Sequence, residues 1–137
     1  MTRPILLDTC ATIWLANKAE LRGESLNHLR AMQEIDGGIL VSPITALEIA
    51  TLVSKGRLAL ALEPTQWFRA LLASGVCLAE MSPDVLIASA FLPGSTLRDP
   101  ADRILAATAR AYRYRLMTRD GHLLDYASQG HLVALPC

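Results

Sequence analysis

The chain has 137 residues, of which 52% are hydrophobic and 19% are charged, and its formal net charge is zero. This length fits one compact domain over residues 1–137, and the composition excludes a disordered chain. A net charge of zero gives no overall sign of nucleic-acid binding. No apolar run is long enough to span a membrane, and Asp8 interrupts the apolar start where a signal peptide would need its core. We therefore expect a soluble, cytoplasmic protein.

Short apolar runs alternate with helix patterns along the chain. The predicted strands cover residues 4–7, 39–41, 76–79, 115–118 and 132–135. The first predicted helix passes through residues 13–15, the second covers 24–35 and the last covers 120–126. Four more predicted helices begin at Ser42-Pro43, Pro64, Ser82-Pro83 and Asp99-Pro100. The helix that begins at Asp99-Pro100 is expected to run through Arg113. This alternation indicates an α/β domain with a mostly parallel sheet, whose ligand site lies beyond the carboxyl ends of the strands.

Two carboxylates stand alone in apolar segments. Asp8 is the only charged residue between Pro4 and Asn17, and Glu48 is the only one between Gly37 and Ser54. Moving an isolated charged carboxylate out of water costs on the order of several kcal/mol. Asp8 has an alternative role as a helix cap, although Thr9 could also serve as that cap. Glu48 has an alternative as the partner of a distant arginine. Convergence of both on a divalent cation is the interpretation we favour.

Three further aspartates lie at predicted helix starts. Asp99 precedes Pro100 and Asp102 falls three residues after Asp99, so helix capping alone would explain both. Asp120 follows a predicted strand and would also cap the helix that begins at Gly121. Asp102 gains a second role only if Asp8 and Glu48 face it. Mg²⁺ and Mn²⁺ prefer carboxylate oxygens and water as ligands, and such ions can activate water for phosphodiester cleavage.

Basic residues are concentrated near the C-terminus. Six of the 13 lysines and arginines lie there: Arg98, Arg103, Arg110, Arg113, Arg115 and Arg119. Charge alone leaves two interpretations open, a solvated helix face with arginine-rich ends and a rim that faces phosphates. Our hypothesis for phosphate contacts names Arg98, Arg103 and Arg119. The aromatic residues Trp14, Trp67 and Phe68 are candidates for packing or for an interface, with core packing preferred.

The cysteines and histidines show no metal-ligand spacing. Cys10, Cys77 and Cys137 are odd in number and far apart in the sequence, without a CxxC pair. We expect reduced thiols, as in a cytosolic protein. The three histidines also form no ligand pattern, and we interpret them as surface or packing residues. Any metal site is therefore expected to be built from carboxylates.

Four segments, taken in order, resemble a known family. LLDTCATIWL, ITALEIATLVSKGRL, RDPADRILAATA and LMTRDGHLLDY are similar in order and spacing to the PIN-domain ribonucleases of the VapC type, the toxins of prokaryotic toxin–antitoxin systems. The resemblance covers nearly the whole chain. It implies a three-layer α/β/α sandwich with a mostly parallel central sheet. It also implies a Mg²⁺- or Mn²⁺-dependent endoribonuclease that cleaves RNA, forms a homodimer and is neutralised by a cognate antitoxin inserted near the acidic site.

The resemblance also assigns site residues. The acidic site that would bind metal and carry catalysis consists of Asp8, Glu48, Asp102 and Asp120. Thr118 would be the hydroxyl of the Thr-x-Asp element, Thr9 matches the polar residue after the first aspartate, and Asp99 would be an accessory acid or a cap. The first alternative is a non-catalytic RNA- or protein-binding module of the same fold. A second alternative is another α/β protein with an aspartate site. A dehalogenase-type phosphatase is disfavoured because Cys10 stands where its second aspartate would be. A response-receiver domain is disfavoured because the sequence lacks the acidic pair before the phosphorylated aspartate and the lysine on a late strand.

Overall fold

Five short strands form the centre of the molecule. The structure, a computed structural model, describes residues 2–17 and 23–137. Its strands are β1 (Ile5–Leu7), β2 (Ile39–Val41), β3 (Cys77–Leu78), β4 (Arg115–Thr118) and β5 (Val133–Pro136). Its helices are α1 (Thr9–Ala16), α2 (Gly23–Gln33), α3 (Pro43–Ser54), α4 (Pro64–Ala73), α5 (Pro83–Ala90), α6 (Pro100–Tyr112) and α7 (Gly121–Ser128).

The sheet has the strand order β3-β2-β1-β4-β5, and all four strand pairs are parallel. Leu7, the last residue of β1, pairs with Val41 on one side and with Met117 on the other. β1 is therefore the central strand, and the residue that follows it emerges in the middle of the carboxyl edge of the sheet. The predicted α/β class with a parallel sheet is confirmed.

Alternate residues of the central strands enter two separate cores. Ile5 and Leu7 pack in one core with side chains of α2, α3 and α4, whereas Leu6 packs in a second core with side chains of α5, α6 and α7. Successive side chains of a strand point to opposite faces, so helices must cover both faces of such a sheet. Trp67 is buried in the first core, and Trp14 and Phe68 pack against it, which agrees with the packing role preferred for these aromatics.

Most element boundaries lie within a few residues of the predicted ones, and two differences have clear causes. α2 ends at Gln33 rather than at Ile35, because the Ile35 amide bonds back to the Met32 carbonyl in a tight turn, 3.1 Å. α6 ends at Tyr112, and Arg113 adopts a left-handed conformation with φ 60°. Among the described residues, no helix is long and apolar enough to cross a membrane.

Candidate active site

Asp8 lies at the centre of the carboxyl edge and is only 5% exposed. Its amide extends the sheet by donating to the Met117 carbonyl, 3.1 Å. One carboxylate oxygen accepts the Ala11 amide at 2.7 Å, which makes Asp8 the N-cap of α1. Its other oxygen accepts the Thr118 hydroxyl at 2.5 Å. Capping and a role in a polar site are therefore compatible for Asp8, and Thr9 is not the cap.

Thr118, the last residue of β4, joins two of the predicted site residues. Its fully buried hydroxyl donates to Asp8 and accepts the Asp120 amide at 3.0 Å. Asp120 is the N-cap of α7, where one carboxylate oxygen accepts the Leu123 amide at 3.0 Å. A single hydroxyl thus fixes the side chain of the first aspartate and the backbone of the last one.

Glu48 faces the same edge from the middle of α3. It is half-buried, and its Oε1 accepts a short hydrogen bond from the Thr9 hydroxyl. The Thr9 Oγ1 also lies 3.4 Å from the Thr45 Oγ1 on α3. Thr9 is the first residue of α1, directly after Asp8, so its hydroxyl holds Glu48 beside the first aspartate.

Asp99 and Asp102 bring α6 to the same edge. Asp99 is the N-cap of α6, and its Oδ2 accepts the Asp102 amide at 3.3 Å. The capping role expected for Asp99 is therefore present. Asp102, in the first turn of the helix, is partly buried and is not needed as a cap, which leaves its carboxylate available for another role.

Electrostatic repulsion shows that the acidic side chains converge. Burial, followed by the charges of Asp99, Asp120, Glu48 and Asp8, raises the pKa of Asp102 from 3.8 to about 7. Every charge that acts on Asp102 is thus negative. Burial is also the main cause that raises the pKa of Asp8 and that of Glu48, and the hydrogen bonds from Thr118 and Thr9 partly oppose it. Perturbed acids of this kind cluster at functional sites.

The chemistry of these donors fits a hard divalent cation. All are carboxylates, whose oxygens suit Mg²⁺ or Mn²⁺, and a cation would relieve the repulsion that raises the pKa of Asp102. Within the described ranges, no three His, Cys, Asp or Glu side chains already stand close enough together to hold one ion.

The three arginines proposed as phosphate contacts differ in their surroundings. Arg119 is exposed between Thr118 and Asp120, and its Nε donates to the Cys137 carbonyl at 2.9 Å. Arg98 is exposed beside Asp99 at the start of α6. The Arg103 guanidinium donates instead to three backbone carbonyls, those of Ser89, Ala90 and Leu97. Arg103 thereby joins the end of α5 to the segment before α6, a structural role that the sequence did not indicate.

The arginine-rich stretch does not form one rim. Arg98 and Arg119 lie near the carboxyl edge, whereas Arg110 and Arg113 lie at the far end of α6 and Arg115 begins β4. One contact near the site was missed by sequence reasoning, because the Arg119 guanidinium lies over the Trp14 ring, 3.3 Å from its centroid. No sequence spacing links residues in α1 and after β4, so only the fold reveals this cation–π contact.

The model of the PIN domain matches residues 5–129 of this chain. The chain belongs to the PIN domain family. It is 33% identical over 122 residues to Ribonuclease VapC22 of Mycobacterium tuberculosis (strain ATCC 25618 / H37Rv), a match that covers 89% of this chain and 91% of that protein. The predicted resemblance to VapC-type PIN domains is thus confirmed.

Two solved structures from other organisms share the fold. VapBC2 from Rickettsia felis, bound to a DNA fragment from its promoter, matches with a TM-score of 0.67 at 19% identity and covers 96% of this chain and 97% of that chain. A toxin–antitoxin complex from Klebsiella pneumoniae matches with a TM-score of 0.61 at 26% identity, over 94% of this chain and 95% of that chain. The architecture predicted from the sequence is therefore that of the VapBC structures.

The raised pKa of Asp102 predicts how stability depends on pH. Between pH 3.8 and about 7 the unfolded chain loses the Asp102 proton before the folded protein does. The free energy of unfolding of the metal-free protein should therefore fall as pH rises through this range. Asp102→Asn should flatten that fall and stabilise the protein at pH 8 by about 1–2 kcal/mol, after allowance for solvent screening of a partly exposed group. Urea unfolding in EDTA at several pH values measures both effects, and a variant less stable than wild type at pH 8 would contradict the repulsion.

The bridging hydroxyl of Thr118 gives a second prediction. Thr118→Val keeps the shape of the side chain but leaves the Asp8 carboxylate and the Asp120 amide without this partner. We expect a loss of roughly 1–3 kcal/mol in the free energy of unfolding, the cost of unsatisfied buried polar groups. Mn²⁺ affinity should fall as well, because the lost hydrogen bond raises the pKa of Asp8 further.

Thr108→Val is the matched control for that variant. Thr108 is equally buried, but its hydroxyl bonds only to the Ile104 carbonyl within α6. The control should lose less stability and keep its Mn²⁺ affinity, as measured by denaturant unfolding and by metal titration. Equal losses of affinity in the two variants would show that Thr118 does not position the site.

Proposed function

We propose that this chain is a metal-dependent endoribonuclease, the toxin component of a toxin–antitoxin system. Membership of the PIN family and similarity to a protein named Ribonuclease VapC22 support the nuclease assignment. One observation carries it furthest: Asp8, Glu48, Asp102 and Asp120 lie at the carboxyl edge of the sheet, where hydrogen bonds with the Thr9 and Thr118 hydroxyls hold three of them. Burial, followed by the charges of the neighbouring acids, accordingly raises the pKa of Asp102 to about 7. A protein retains such a destabilised arrangement where it has a use for the charge.

In this proposal Asp8, Glu48 and Asp102 hold the first Mg²⁺ or Mn²⁺. Asp120, acting through water, completes that site or holds a second ion. A cation held by these carboxylates would lower the pKa of the attacking water and would stabilise negative charge on the leaving oxygen. The site also lies where a parallel α/β sheet places its ligands, beyond the carboxyl ends of β1 and β4.

The residues around the carboxylates position them. The Thr118 hydroxyl holds one oxygen of Asp8 and the amide of Asp120, and the Thr9 hydroxyl holds Glu48. These hydrogen bonds favour the charged forms and fix the rotamers in advance of substrate binding. Because water attacks phosphorus rather than the ribose 2′-hydroxyl, the products should carry 5′-phosphate and 3′-hydroxyl ends.

Arg98 and Arg119 are the phosphate contacts that this geometry favours. Arg119 is held by the Trp14 ring and by the Cys137 carbonyl, which places a positive charge beside Asp8. Arg98 is exposed at the start of α6. We no longer propose Arg103 for this role, because its guanidinium already donates to three carbonyls. A guanidinium whose three nitrogens all donate to carbonyls has fewer donors left for a phosphate than one with a single such bond.

We further propose the partners that accompany this activity in the cytoplasm. A cognate antitoxin would neutralise the protein by inserting near the acidic site, a proposal supported by structural similarity to toxin–antitoxin complexes. A homodimer is supported by apolar side chains that the fold leaves exposed, with Ile87 62% and Phe91 79% exposed on and after α5. The substrate in this proposal is RNA.

A second candidate is a non-catalytic PIN module that binds RNA or protein. It is favoured by the absence, within the described part of the chain, of three side chains already placed as ligands of one ion. Asp99 and Asp120 also have capping roles that need no metal. Metal binding separates the two candidates, because the module would not need it.

Cleavage of total cellular RNA by the purified, antitoxin-free protein tests the proposal. With Mg²⁺ or Mn²⁺ we expect discrete fragments with 5′-phosphate ends, and none in EDTA. Asp8→Asn and Asp102→Asn should reduce the rate by more than the roughly 10–100-fold that changes outside the ligand set cost. The control is Asp125→Asn, an exposed acid on α7, which should cleave like wild type.

The outcomes separate the candidates. Equal cleavage by the Asp8→Asn variant and wild type would exclude the proposed site. A folded wild type that neither binds metal nor cleaves RNA would favour the non-catalytic module. Fragments that end in a 2′,3′-cyclic phosphate would contradict attack by water.

A further inference from the structure

A second charged cluster lies at the amino ends of the strands, opposite the candidate active site. A cleft of about 430 Å³ is lined there by Arg3, Arg110, Arg113, Tyr114 and His131. Arg3 precedes β1, Arg110 and Arg113 lie at the end of α6, and Tyr114 directly precedes β4. Its described lining contains three arginines and no carboxylate. We call it the amino-edge cleft.

Positive charge accumulates at this edge without a matching negative charge in the lining. Arg115 begins β4 at the same edge but is not part of the cleft lining: its Nε donates to the Arg3 carbonyl at 3.0 Å, and its Nη1 lies 3.4 Å from the His28 Nδ1 on α2. Its Nη2 is buried with no hydrogen-bond partner among the described residues. The three arginines of the lining have no carboxylate among them, a composition that fits a surface that binds an anionic ligand.

Arg113 occupies a conformation that favours glycine. It caps the end of α6 with φ 60° and ψ 40°, and it is the only described non-glycine residue with a positive φ. Glycine is the usual residue at this position, because a Cβ is strained in the left-handed region. Backbone conformations of this kind cluster at functional sites, which supports a role for the Arg113 side chain. Arg110 is fixed beside it by a short hydrogen bond from Nη1 to the His131 carbonyl.

The aromatic neighbours favour a nucleic acid over a small anion. Tyr114 lines the cleft, and its ring stacks on Tyr112 with centroids 5.6 Å apart. The Tyr112 hydroxyl donates to the Glu80 carboxylate at 3.0 Å, so one acidic side chain lies beside this pair but outside the lining. His131 stacks on Tyr126 at 4.5 Å. Arginines next to aromatic rings are the combination that single-stranded RNA uses, with phosphates on the guanidinium groups and bases on the rings.

We propose that the amino-edge cleft binds the phosphate backbone of the RNA substrate outside the segment that is cut. This inference rests on the proposed endoribonuclease function. An RNA must follow the outside of the molecule from one edge to the other, because Leu116, Met117 and Thr118 of β4 are buried. α6 has 13 residues and is about 20 Å long between the two sites. A single-stranded segment that follows this length can therefore contact both sites.

Binding of RNA in EDTA tests the cleft without turnover. The probes are single-stranded oligoribonucleotides of mixed sequence, from a few to roughly 25 nucleotides, a range that exceeds typical site sizes. Wild-type affinity should rise with length. The triple variant Arg3→Ala, Arg110→Ala, Arg113→Ala should lose roughly 10-fold or more for the longest probe, and its salt slope should fall by about 2.

Two controls make the result specific. Lys55→Ala, Arg57→Ala, Arg69→Ala removes the same charge from exposed positions elsewhere and should bind like wild type. The Arg113→Gly variant is relieved of the strain of a side chain in the left-handed region. Its melting temperature should equal or exceed that of wild type, and its affinity for the long probe should be lower than that of wild type. Loss of binding in a variant that is as stable as wild type excludes misfolding as the cause.

The results distinguish the cleft from the nuclease. The inference is overturned if the cleft triple variant binds the long probe like wild type, or if it loses no more affinity than the Lys55→Ala, Arg57→Ala, Arg69→Ala variant. This holds even if wild type cleaves RNA. If the inference is overturned, an acidic protein is the next occupant to test. Loss of binding in both cleft variants supports the inference even if no cleavage is seen, since binding in EDTA does not require catalysis.

Discussion

The constraint on which the site depends is the burial of carboxylates that the fold also brings close to one another. Asp8 is nearly fully buried at the end of the central strand, and Glu48 and Asp102 approach it from α3 and α6. Burial, and after it neighbouring negative charges, raises the pKa of each of these three carboxyls. Folding therefore places charge where it is least stable, and a bound cation is the simplest source of compensation.

Hydroxyl groups make this arrangement tolerable. Thr118 and Thr9 donate to Asp8 and Glu48, and these hydrogen bonds oppose the effect of burial on both pKa values. Helix capping contributes in the same way, because Asp8 and Asp120 each accept a backbone amide at a helix start. The same residues thus end strands, begin helices and orient ligands, which explains why caps and site residues coincide in this fold.

Much of the architecture follows from the sequence. The run Ile5-Leu6-Leu7 is apolar at every position because helices cover both faces of its strand, and Ser42-Pro43 and Asp99-Pro100 mark helix starts through capping chemistry. Asp8 and Glu48 are predictable as lone charges in apolar segments, whereas Asp102 and Asp120 stand among other charges at helix starts, where capping alone would explain them. Their order along the chain and the parallel topology then place them at one edge of the sheet.

The arginines could not be assigned in this way. α6 has 13 residues and is therefore about 20 Å long, so it carries Arg98 and Arg113 to opposite ends of the sheet although they are close in sequence. The direction of the Arg103 side chain depends on carbonyls at the end of α5, and the support of Arg119 depends on Trp14. These contacts join distant segments, and no periodicity in the chain encodes them.

Calorimetric titration of the metal-free protein with Mg²⁺ or Mn²⁺ tests the central claim most directly. Measured near pH 6 in buffers with different heats of ionisation, it gives the number of protons released on binding. A carboxyl whose pKa is about 7 is mostly protonated there and must lose its proton to become a ligand, so we expect close to one proton released per protein. Asp102→Asn should release much less. Metal binding without proton release, or no metal binding by the folded protein, would contradict the account.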